Sequence, residues 1–294
     1  MRDTLISLSN DLATAVETAS RFVVSIDARP RAASSGIHWR PGLIVTAMHT
    51  IRRQEEIRVT LPNGKQIAAE LAGRDPGTDL ALLKADTGEL PIAETDSAQP
   101  LKAGHLVLAV GRSPETGVNA ALGVLSAVAG PWQTWRGGRL DQFVRLDLDL
   151  HPGGSGGAVV DASGKVIGLA TVALTRASVV AIPTATVERV AEALLTKGHV
   201  SRGYLGVGLQ PVKLPGASGL IVLSVESKSP AGEAGVLIGD ILLGLNGNPA
   251  EDTDDVQAVL GSDWVGREVK VSLLRGGQPV QLSITIGERP RKCE

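Results

Sequence analysis

Ser155 lies in the segment GGSGG at 153–157, between two apolar stretches at 143–150 and 158–160. Glycines and the preceding Pro152 favour a tight turn in which backbone comes close to a bound molecule. Amide N–H groups of such a turn can converge beside the serine hydroxyl and stabilise a developing oxyanion. The pattern makes Ser155 a candidate nucleophile, although glycine-rich segments of this kind are also common as hairpin turns and linkers.

A nucleophilic serine needs a base, usually histidine, and the histidine needs a carboxylate that fixes its tautomer. His49 follows the apolar stretch 43–48, which is typical of a buried strand, so it is predicted at a strand end. Asp79 precedes the apolar stretch 80–83 and is predicted to enter a buried strand from a turn. Each could be purely structural, because strand-end histidines and turn aspartates are common. Their order along the chain favours a triad.

The order histidine, aspartate, serine is that of chymotrypsin-like enzymes and differs from the orders in subtilisin-like and α/β-hydrolase enzymes. An α/β-hydrolase would also place a helix directly after its serine. Here residues 158–169 have the pattern of a strand, a turn and a second strand. The surroundings of Ser155 are therefore predicted to be all β.

The chain resembles the HtrA (Deg) family of trypsin-like serine proteases that carry a C-terminal PDZ domain. The matching segments, in order, are TAMHT at 46–50, DPGTDLALLK at 75–84, HPGGSGGAVVDASGKVIGL at 151–169, AIPTATV at 181–187, RGYLGV at 202–207 and SPAGEAGVLIGDILLGLNG at 229–247. The resemblance implies that His49 is the general base, that Asp79 is the carboxylate orienting it, and that Ser155 is the nucleophile.

The resemblance also implies an oxyanion hole built from the amides of Gly153 and Ser155, with Gly154 between them. Family members usually have Asn where Gly154 and His151 stand. Because an extra glycine raises the conformational entropy of the loop, the hole is expected to form only when a ligand orders it. His151 is an alternative base, but a residue four positions before Ser155 in a tight turn rarely reaches its hydroxyl.

Substrate preference is assigned by the resemblance to the segments 169–173 and 176–181. The candidate pocket residues are Leu169, Ala170, Thr171 and Val172. Neither segment contains the carboxylate that a preference for Lys or Arg would need, so small or medium aliphatic residues are expected before the scissile bond. Because a substrate must pair with strand edges in an extended form, unfolded or damaged proteins are the predicted substrates.

Composition favours β-barrels over helical bundles. Hydrophobic residues make up 43% of the 294 residues, yet aromatic residues only 2%, and 35 glycines fit many tight turns between short strands. The length suggests two domains. A formal charge of −2, with no basic stretch interleaved with aromatic residues, argues against a nucleic-acid partner.

Cys293 is the single cysteine, so neither an intrachain disulfide nor a cysteine zinc site can form, and no metal or cofactor is expected. No apolar stretch approaches the roughly 20 residues that span a bilayer, and the N-terminus lacks the order of a signal peptide. The chain is expected in the cytoplasm as it stands, or in the periplasm or cell envelope if a leader has been removed.

The predicted fold class is mainly β, a chymotrypsin-like double β-barrel followed by a PDZ domain. Apolar residues at helical spacing predict an amphipathic helix near the N-terminus, and a second helix from Thr184 to Gly198 is predicted to close the protease domain. The predicted organisation is an N-terminal helix at 1–20, a protease domain at 21–198, a linker at 199–202, a PDZ domain at 203–288 and a tail at 289–294. By the resemblance, one six-stranded barrel carries His49 and Asp79, and the next carries Ser155.

In a PDZ domain an extended peptide adds as a strand to a sheet edge, and its terminal carboxylate binds a nest of backbone amides. A helix is predicted over 252–260. The candidate peptide-binding residues are Tyr204, Leu205, Gly206, Val207, Val256 and Leu260. The alternative interpretation is that they are core residues at the start of a strand.

The resulting hypothesis is an ATP-independent serine endopeptidase of protein quality control, with a homotrimer as the default assembly of the family. Two alternatives stay open. One is a proteolytically silent protein that binds peptides as a chaperone does. The other is a resting enzyme that a C-terminal peptide switches on through the PDZ domain.

Overall fold

The computed structural model describes residues 2–29, 32–95, 100–215, 217–261 and 264–290. The chain divides into two compact units, Met1–His199 and Val200–Glu294. Cys293 and the rest of the predicted tail from 291 onward lie outside the described residues.

The first unit begins with helix α1 (Arg2–Ser20) and continues into a closed antiparallel barrel with strand order β1-β2-β3-β6-β5-β4. The strands are β1 (Val23–Asp27), β2 (Ser34–Arg40), β3 (Leu43–Ala47), β4 (Ile57–Thr60), β5 (Gln66–Asp75) and β6 (Leu80–Ala85). Branched aliphatic side chains such as Ile26, Ile44 and Leu83 fill its interior. β-Branched residues such as the two isoleucines favour strands, because they pack well on a pleated surface.

A second closed barrel follows, with strand order β11-β14-β13-β12-β7-β8. Its part of the chain contains β7 (Leu106–Ser113), β8 (Gly117–Ala129), a small hairpin of β9 (Trp132–Gln133) and β10 (Arg139–Leu140), β11 (Phe143–Asp147), β12 (Ala158–Asp161), β13 (Val166–Thr171) and β14 (Val179–Pro183). Leu125, Val144 and Val159 are among its core residues. The two six-stranded barrels confirm the predicted double-barrel fold.

Two helices flank the barrels. Helix α2 (Thr184–Lys197) buries Val187, Val190 and Leu194 and ends at Gly198 in a left-handed conformation. Helix α1 buries Ala15 and Ala19 in its second half. In its first half three apolar side chains are exposed, namely Leu5, Ile6 and Leu8. None of the helices in the described ranges is long and apolar enough to cross a membrane.

The second unit is built on a twisted antiparallel sheet with strand order β16-β17-β18-β20-β21. Its elements are β15 (Gly203–Tyr204), β16 (Val207–Leu214), β17 (Ala217–Val225), α3 (Pro230–Glu233), β18 (Ile241–Leu245), β19 (Asn248–Pro249), α4 (Thr253–Ala258), β20 (Glu268–Arg275), β21 (Gln278–Thr285) and β22 (Gly287–Glu288). Leu220, Leu242 and Val271 are among the residues of its own aliphatic core.

Helix α4 is shorter than the predicted 252–260. Asp252 caps its N-terminus by accepting hydrogen bonds from the amides of Asp254 and Asp255. At the other end the amide of Val259 bonds to the carbonyl of Val256, three residues back, so the last turn tightens and the helix stops. Leu260 therefore lies outside the helix that was predicted to carry it.

An ion pair joins buried Asp240, directly before β18, to the partly exposed Arg275 at the end of β20. The Asp240 side chain, only 2% exposed, accepts hydrogen bonds from Arg275 Nε at 2.8 Å and Nη2 at 2.7 Å, and from the Leu237 amide at 2.9 Å. The hydrogen bonds from the Arg275 guanidinium hold the pKa of Asp240 below its usual value. Since the folded-state pKa is the lower one, this contribution to stability is present above about pH 4 and is lost as the pH falls through the folded-state pKa.

Replacing Arg275 by glutamine removes the cation and leaves a buried carboxylate partly unsatisfied. At pH 7 we expect amide hydrogen exchange in β17 and β18 of the full chain to become about 10-fold faster or more, with a smaller effect once the pH has fallen below the lowered folded-state pKa of Asp240, where the carboxylate is protonated. The control is Lys270→Gln, which removes an exposed cation from the same strand. Equal effects of the two substitutions would contradict a stabilising role for the pair of Asp240 and Arg275.

Candidate active site

His49 lies directly after strand β3 of the first barrel. Strand β3 ends at Ala47 and passes into a single 3-10 turn, Met48–Thr50, which the Thr50 hydroxyl stabilises by donating to the Ala47 carbonyl at 2.7 Å. Because Ala47 is paired with Leu80 on β6, the residue before Leu80 lies beside this turn. That residue is Asp79, whose carbonyl accepts the Met48 amide at 2.8 Å.

The Asp79 carboxylate is completely buried and has three hydrogen-bond donors in the described part of the chain. The His49 amide donates to Oδ1 at 2.9 Å, and His49 Nδ1 lies 2.8 Å from Oδ2. The third donor is Thr171 Oγ1 on β13 of the second barrel, 2.5 Å from Oδ2. Asp79 has a φ of +59°, which Asp and Asn adopt more readily than most residues.

The hydrogen bond to Asp79 determines the tautomer of neutral His49. Because the buried carboxylate is an acceptor, Nδ1 carries the proton and Nε2 retains its lone pair. The His49 side chain is 24% exposed, so the ring reaches solvent while one edge is held by Asp79. This arrangement suits a base that takes a proton from a neighbouring hydroxyl.

Ser155 lies on the connection between β11 and β12 and is 8% exposed. The next two residues are fixed to β13, because Gly156 N donates to Ala170 O at 2.8 Å and Ala170 N donates to Gly157 O at 2.9 Å. Gly156 has a φ of +88°, and a Cβ there would lie 2.4 Å from the Thr46 hydroxyl on β3. The structure thus brings the Ser155 loop against the strand that leads to His49.

The backbone of the Ser155 loop has two unused donors. Gly154 N donates to His151 O at 2.8 Å, so this amide is engaged within the turn. In the described ranges the amides of Gly153 and Ser155 have no acceptor, and Gly153 has a φ of +87°. Of the three predicted oxyanion-hole residues, Gly153 and Ser155 therefore offer donors and Gly154 does not. The exposed residue His151 contributes a backbone carbonyl to the turn.

Steric contacts in this loop explain why position 154 is occupied by glycine. A Cβ at that position would lie 2.9 Å from both Cγ and Cδ1 of Leu150 and 3.0 Å from the His151 carbonyl oxygen. Any larger residue would require the Leu150 side chain to shift. Leu150 thus leaves room for glycine alone at this position.

The predicted pocket residues divide into two groups. Leu169, Ala170 and Thr171 are fully buried strand residues, and the hydroxyl of Thr171 bonds to Asp79 instead of lining a pocket. Val172 is 46% exposed and lines a cavity of about 300 Å³. The other lining residues of this cavity are Leu146, Asp147, Leu148, Asp149 and 175–179.

Sequence reasoning missed Asp147 and Asp149 as cavity residues. The predicted pocket segments all follow Ser155, whereas Asp147 ends β11 and Asp149 lies on the connection from β11 to the Ser155 loop. The alternation of Leu and Asp from 146 to 149 is the signal that could have found them. The cavity contains both apolar and acidic side chains, together with the cation of Arg176.

In the second unit Gly206 allows a close backbone approach. Its φ is +77°, and a Cβ there would lie 2.2 Å from Ser229 Cβ. The loop is fixed by hydrogen bonds from Glu226 N to Gly206 O at 2.8 Å and from Ala231 N to Leu205 O at 3.0 Å. Val207 begins the edge strand β16.

The remaining candidate peptide-binding residues are partly core residues. Leu205 and Val256 are buried in the core, and Leu260 packs against it. Tyr204 pairs with Gly287 on β22, and its hydroxyl donates to Glu226 at 2.5 Å. Both interpretations of this loop therefore have support, because its side chains fill the core while its backbone borders a free strand edge.

Within the described residues, no three side chains of His, Cys, Asp or Glu are grouped to bind a metal ion. The hydrogen-bonded pair of His49 and Asp79 beside a serine loop can perform acyl transfer through a covalent intermediate without one.

Two sequence profiles match the chain. The profile described as a trypsin-like peptidase domain matches residues 34–169, and the PDZ domain profile matches residues 203–286. A probable periplasmic serine endoprotease DegP-like of Pseudomonas fluorescens (strain Pf-5) is 31% identical over 264 residues, covering 85% of this chain and 55% of that relative. A relative of the same name in Pseudomonas putida (strain W619) is 32% identical over 262 residues, covering 85% and 54%. The chain thus spans about half the length of these curated relatives.

Solved structures match over nearly the whole chain. A serine endoprotease from Yersinia pestis is 33% identical with a TM-score of 0.79, covering 95% of this chain and 98% of that one. The HtrA-type protease AlgW, solved with a decapeptide, is 27% identical with a TM-score of 0.82, covering 96% and 99%.

Replacing Asp79 by asparagine tests the tautomer argument. Asparagine tolerates the left-handed backbone at this position, but its amide can donate to Nδ1 and so place the ring proton on Nε2. We expect modification of Ser155 by a fluorophosphonate, followed by intact mass, to slow by about 10⁴-fold. Asp27→Asn, on an exposed carboxylate of the same barrel, is the control. An unchanged rate in Asp79→Asn would contradict the assignment of His49 as the base.

Proposed function

Since this chain belongs to the HtrA-type trypsin-like serine endoproteases with a PDZ domain, we propose that it hydrolyses peptide bonds in unfolded or damaged proteins. The observation that carries the proposal is the hydrogen bond from His49 Nδ1 to the buried Asp79 carboxylate, beside the loop of Ser155. A serine, a base and an orienting acid in this relation suit acyl transfer.

In the proposed reaction the Ser155 hydroxyl attacks the substrate carbonyl while His49 Nε2 takes its proton. The oxyanion that forms accepts hydrogen bonds from the amides of Gly153 and Ser155. His49 then gives the proton to the leaving amine, and an acyl-enzyme remains. Water, activated by the same histidine, hydrolyses the acyl-enzyme and restores the Ser155 hydroxyl. The cycle uses only water and no nucleotide or cofactor.

The proposed substrate is an extended chain, because folded proteins rarely expose a segment that can pair with strand edges at an active site. We propose small or medium aliphatic residues before the scissile bond, supported by the apolar wall of the cavity at Leu146, Leu148 and Val172. Asp147 and Asp149 add negative charge to the same cavity, so the residues found at cleavage sites decide between aliphatic and basic preferences.

We propose that the PDZ domain binds peptide C-termini through two sets of backbone contacts, one to the peptide chain and one to its terminal carboxylate. The free edge of β16 can pair with an extended peptide, and the loop at Gly206 can present amides to its carboxylate. The HtrA-type protease AlgW, which this chain resembles over nearly its whole length, was solved with a decapeptide, and this agrees with peptide binding by a protein of this architecture. Peptide binding serves either substrate capture or activation.

We further propose that the chain assembles into a homotrimer in the periplasm or cell envelope. The relatives in Pseudomonas are named as periplasmic. Phe22, the aromatic residue near the N-terminus, is buried, so the apolar side chains exposed in this part of the chain are Leu5, Ile6 and Leu8 of α1, and we propose these for the subunit contact.

Cleavage of unfolded casein tests the proposed activity. We expect the parent protein to cleave it and Ser155→Ala to leave it intact, because the covalent step has no other nucleophile. Mass spectrometry of the products gives the residue before each cut. Each protein is assayed with and without a peptide that ends in a free apolar residue.

The outcomes of this assay separate the alternatives. Turnover that rises with the peptide supports activation through the PDZ domain. Peptide binding without any cleavage would contradict the protease and favour the silent peptide-binding protein. Cleavage by Ser155→Ala at the parent rate would contradict the assignment of the nucleophile.

Replacing Gly206 by alanine tests the peptide site. A Cβ at this position meets Ser229 and strains a left-handed backbone, so the loop must shift and we expect peptide affinity to fall by about 10-fold or more. The matched control is Gly277→Ala, where φ is +82° but no atom lies within 4 Å of the added Cβ. Fluorescence anisotropy of a labelled peptide measures both. Equal affinities of the two variants would contradict the proposed site.

A further inference from the structure

Ser35 is a completely buried residue of β2, in the first barrel. Its backbone bonds in two directions. The Ser35 amide donates to the Ser155 carbonyl at 3.2 Å, and the Ser35 carbonyl accepts the Thr46 hydroxyl at 2.7 Å. The first of these bonds joins β2 to the proposed nucleophile itself, 120 positions further along the chain.

The Ser35 hydroxyl makes a separate contact with the same loop. It donates to the Gly153 carbonyl at 2.8 Å and accepts the Arg112 amide at 3.0 Å. Because the amide of Arg112 can only donate, it occupies a lone pair of the hydroxyl and leaves the hydroxyl proton for Gly153. Ser35 therefore binds the carbonyls of Gly153 and Ser155, whose amides are the two unused donors of the loop.

The contact at Gly153 restrains the orientation of a peptide plane. The peptide from Gly153 to Gly154 is held at its carbonyl by Ser35 and at its amide by His151 O. Because a peptide unit is planar, fixing both ends limits ψ at Gly153 and φ at Gly154. The Gly153 amide belongs to the preceding peptide, which is joined to the fixed peptide at the Gly153 Cα. Rotation of this amide relative to the fixed peptide therefore occurs about φ of Gly153.

This restraint matters more here than in a loop with fewer glycines. Residues 153, 154, 156 and 157 are all glycine, so side-chain packing contributes little to the order of the loop. A Cβ added at Gly153 would meet only the carbonyl group of Ala33 within 4 Å, with its oxygen at 2.9 Å, so few atoms pack against this side of the residue. Hydrogen bonds from outside the loop must supply the remaining order.

We propose that the Ser35 hydroxyl is a positioning group that keeps the Gly153 amide directed toward the oxyanion. The inference rests on the proposed function, in which that amide stabilises the transition state. It predicts that loss of the hydroxyl lowers kcat and leaves KM unchanged, because the oxyanion forms only after substrate has bound.

The chain provides a matched control at the neighbouring position. Ser34 is also completely buried in β2, but its hydroxyl has no hydrogen-bond partner in the described part of the chain. Ser34→Ala and Ser35→Ala therefore remove the same atom from adjacent buried residues. Only Ser35→Ala removes a hydrogen bond to the Ser155 loop.

The experiment compares the full-length parent protein with both variants on a fluorogenic peptide taken from a casein cleavage site. We expect Ser35→Ala to lower kcat by about 10-fold to 100-fold, less than the 10²- to 10³-fold loss of an oxyanion donor itself, with KM within about 2-fold. We expect Ser34→Ala to keep the parent kcat. A peptide boronate, which forms a tetrahedral adduct on the serine, should lose affinity in parallel with kcat only in Ser35→Ala.

Hydrogen exchange of residues 151–157 supplies a readout that needs no turnover, and it should accelerate in Ser35→Ala relative to Ser34→Ala. Equal kcat in the two variants, a change in KM alone, or unchanged loop exchange would overturn the role of Ser35. If the parent protein cleaves nothing, the proposed function fails, and loop exchange still tests the contact between Ser35 and Gly153 by itself.

Discussion

A carboxylate removed from water must be surrounded by hydrogen-bond donors, and the arrangement of both barrels around Asp79 meets this requirement. Two of its donors come from His49 in the same barrel, and the third comes from Thr171 in the other. None of these donors is a permanent cation. The negative charge therefore remains available to stabilise an imidazolium on His49, which is the charge that the proposed reaction creates.

The same two-barrel contact explains what could be predicted from the sequence. His49, Asp79 and Ser155 lie in segments whose local pattern is distinctive, so residue type, order and resemblance locate them. The sequence predicts Thr171 as a pocket residue. The residues around Thr171 indicate a strand, but they do not reveal that its hydroxyl contacts Asp79 in the other barrel. Ser35 was not singled out at all, since its partner is 118 positions away and nothing local distinguishes it from Ser34.

Local patterns were also less informative at the ends of elements and in the second unit. The apolar spacing at 252–260 indicated a helix, but the tightened turn at Val259 depends on backbone hydrogen bonding that the spacing does not encode. Leu205 and Val256 fit a binding groove and a core equally well by sequence. The structure shows them in the core, so the proposed contact with a peptide carboxylate is assigned to the backbone of the loop at Gly206.

The contribution of Thr171 to Asp79 has a consequence for the newly synthesised chain. All six strands of the first barrel lie between residues 23 and 85, so a ribosome releases them before any of the second barrel is complete. Until residue 171 emerges, Asp79 lacks one of its donors and Ser155 has no strand β13 against which to order its loop. Translation order thus delays assembly of the proposed catalytic residues until both barrels exist.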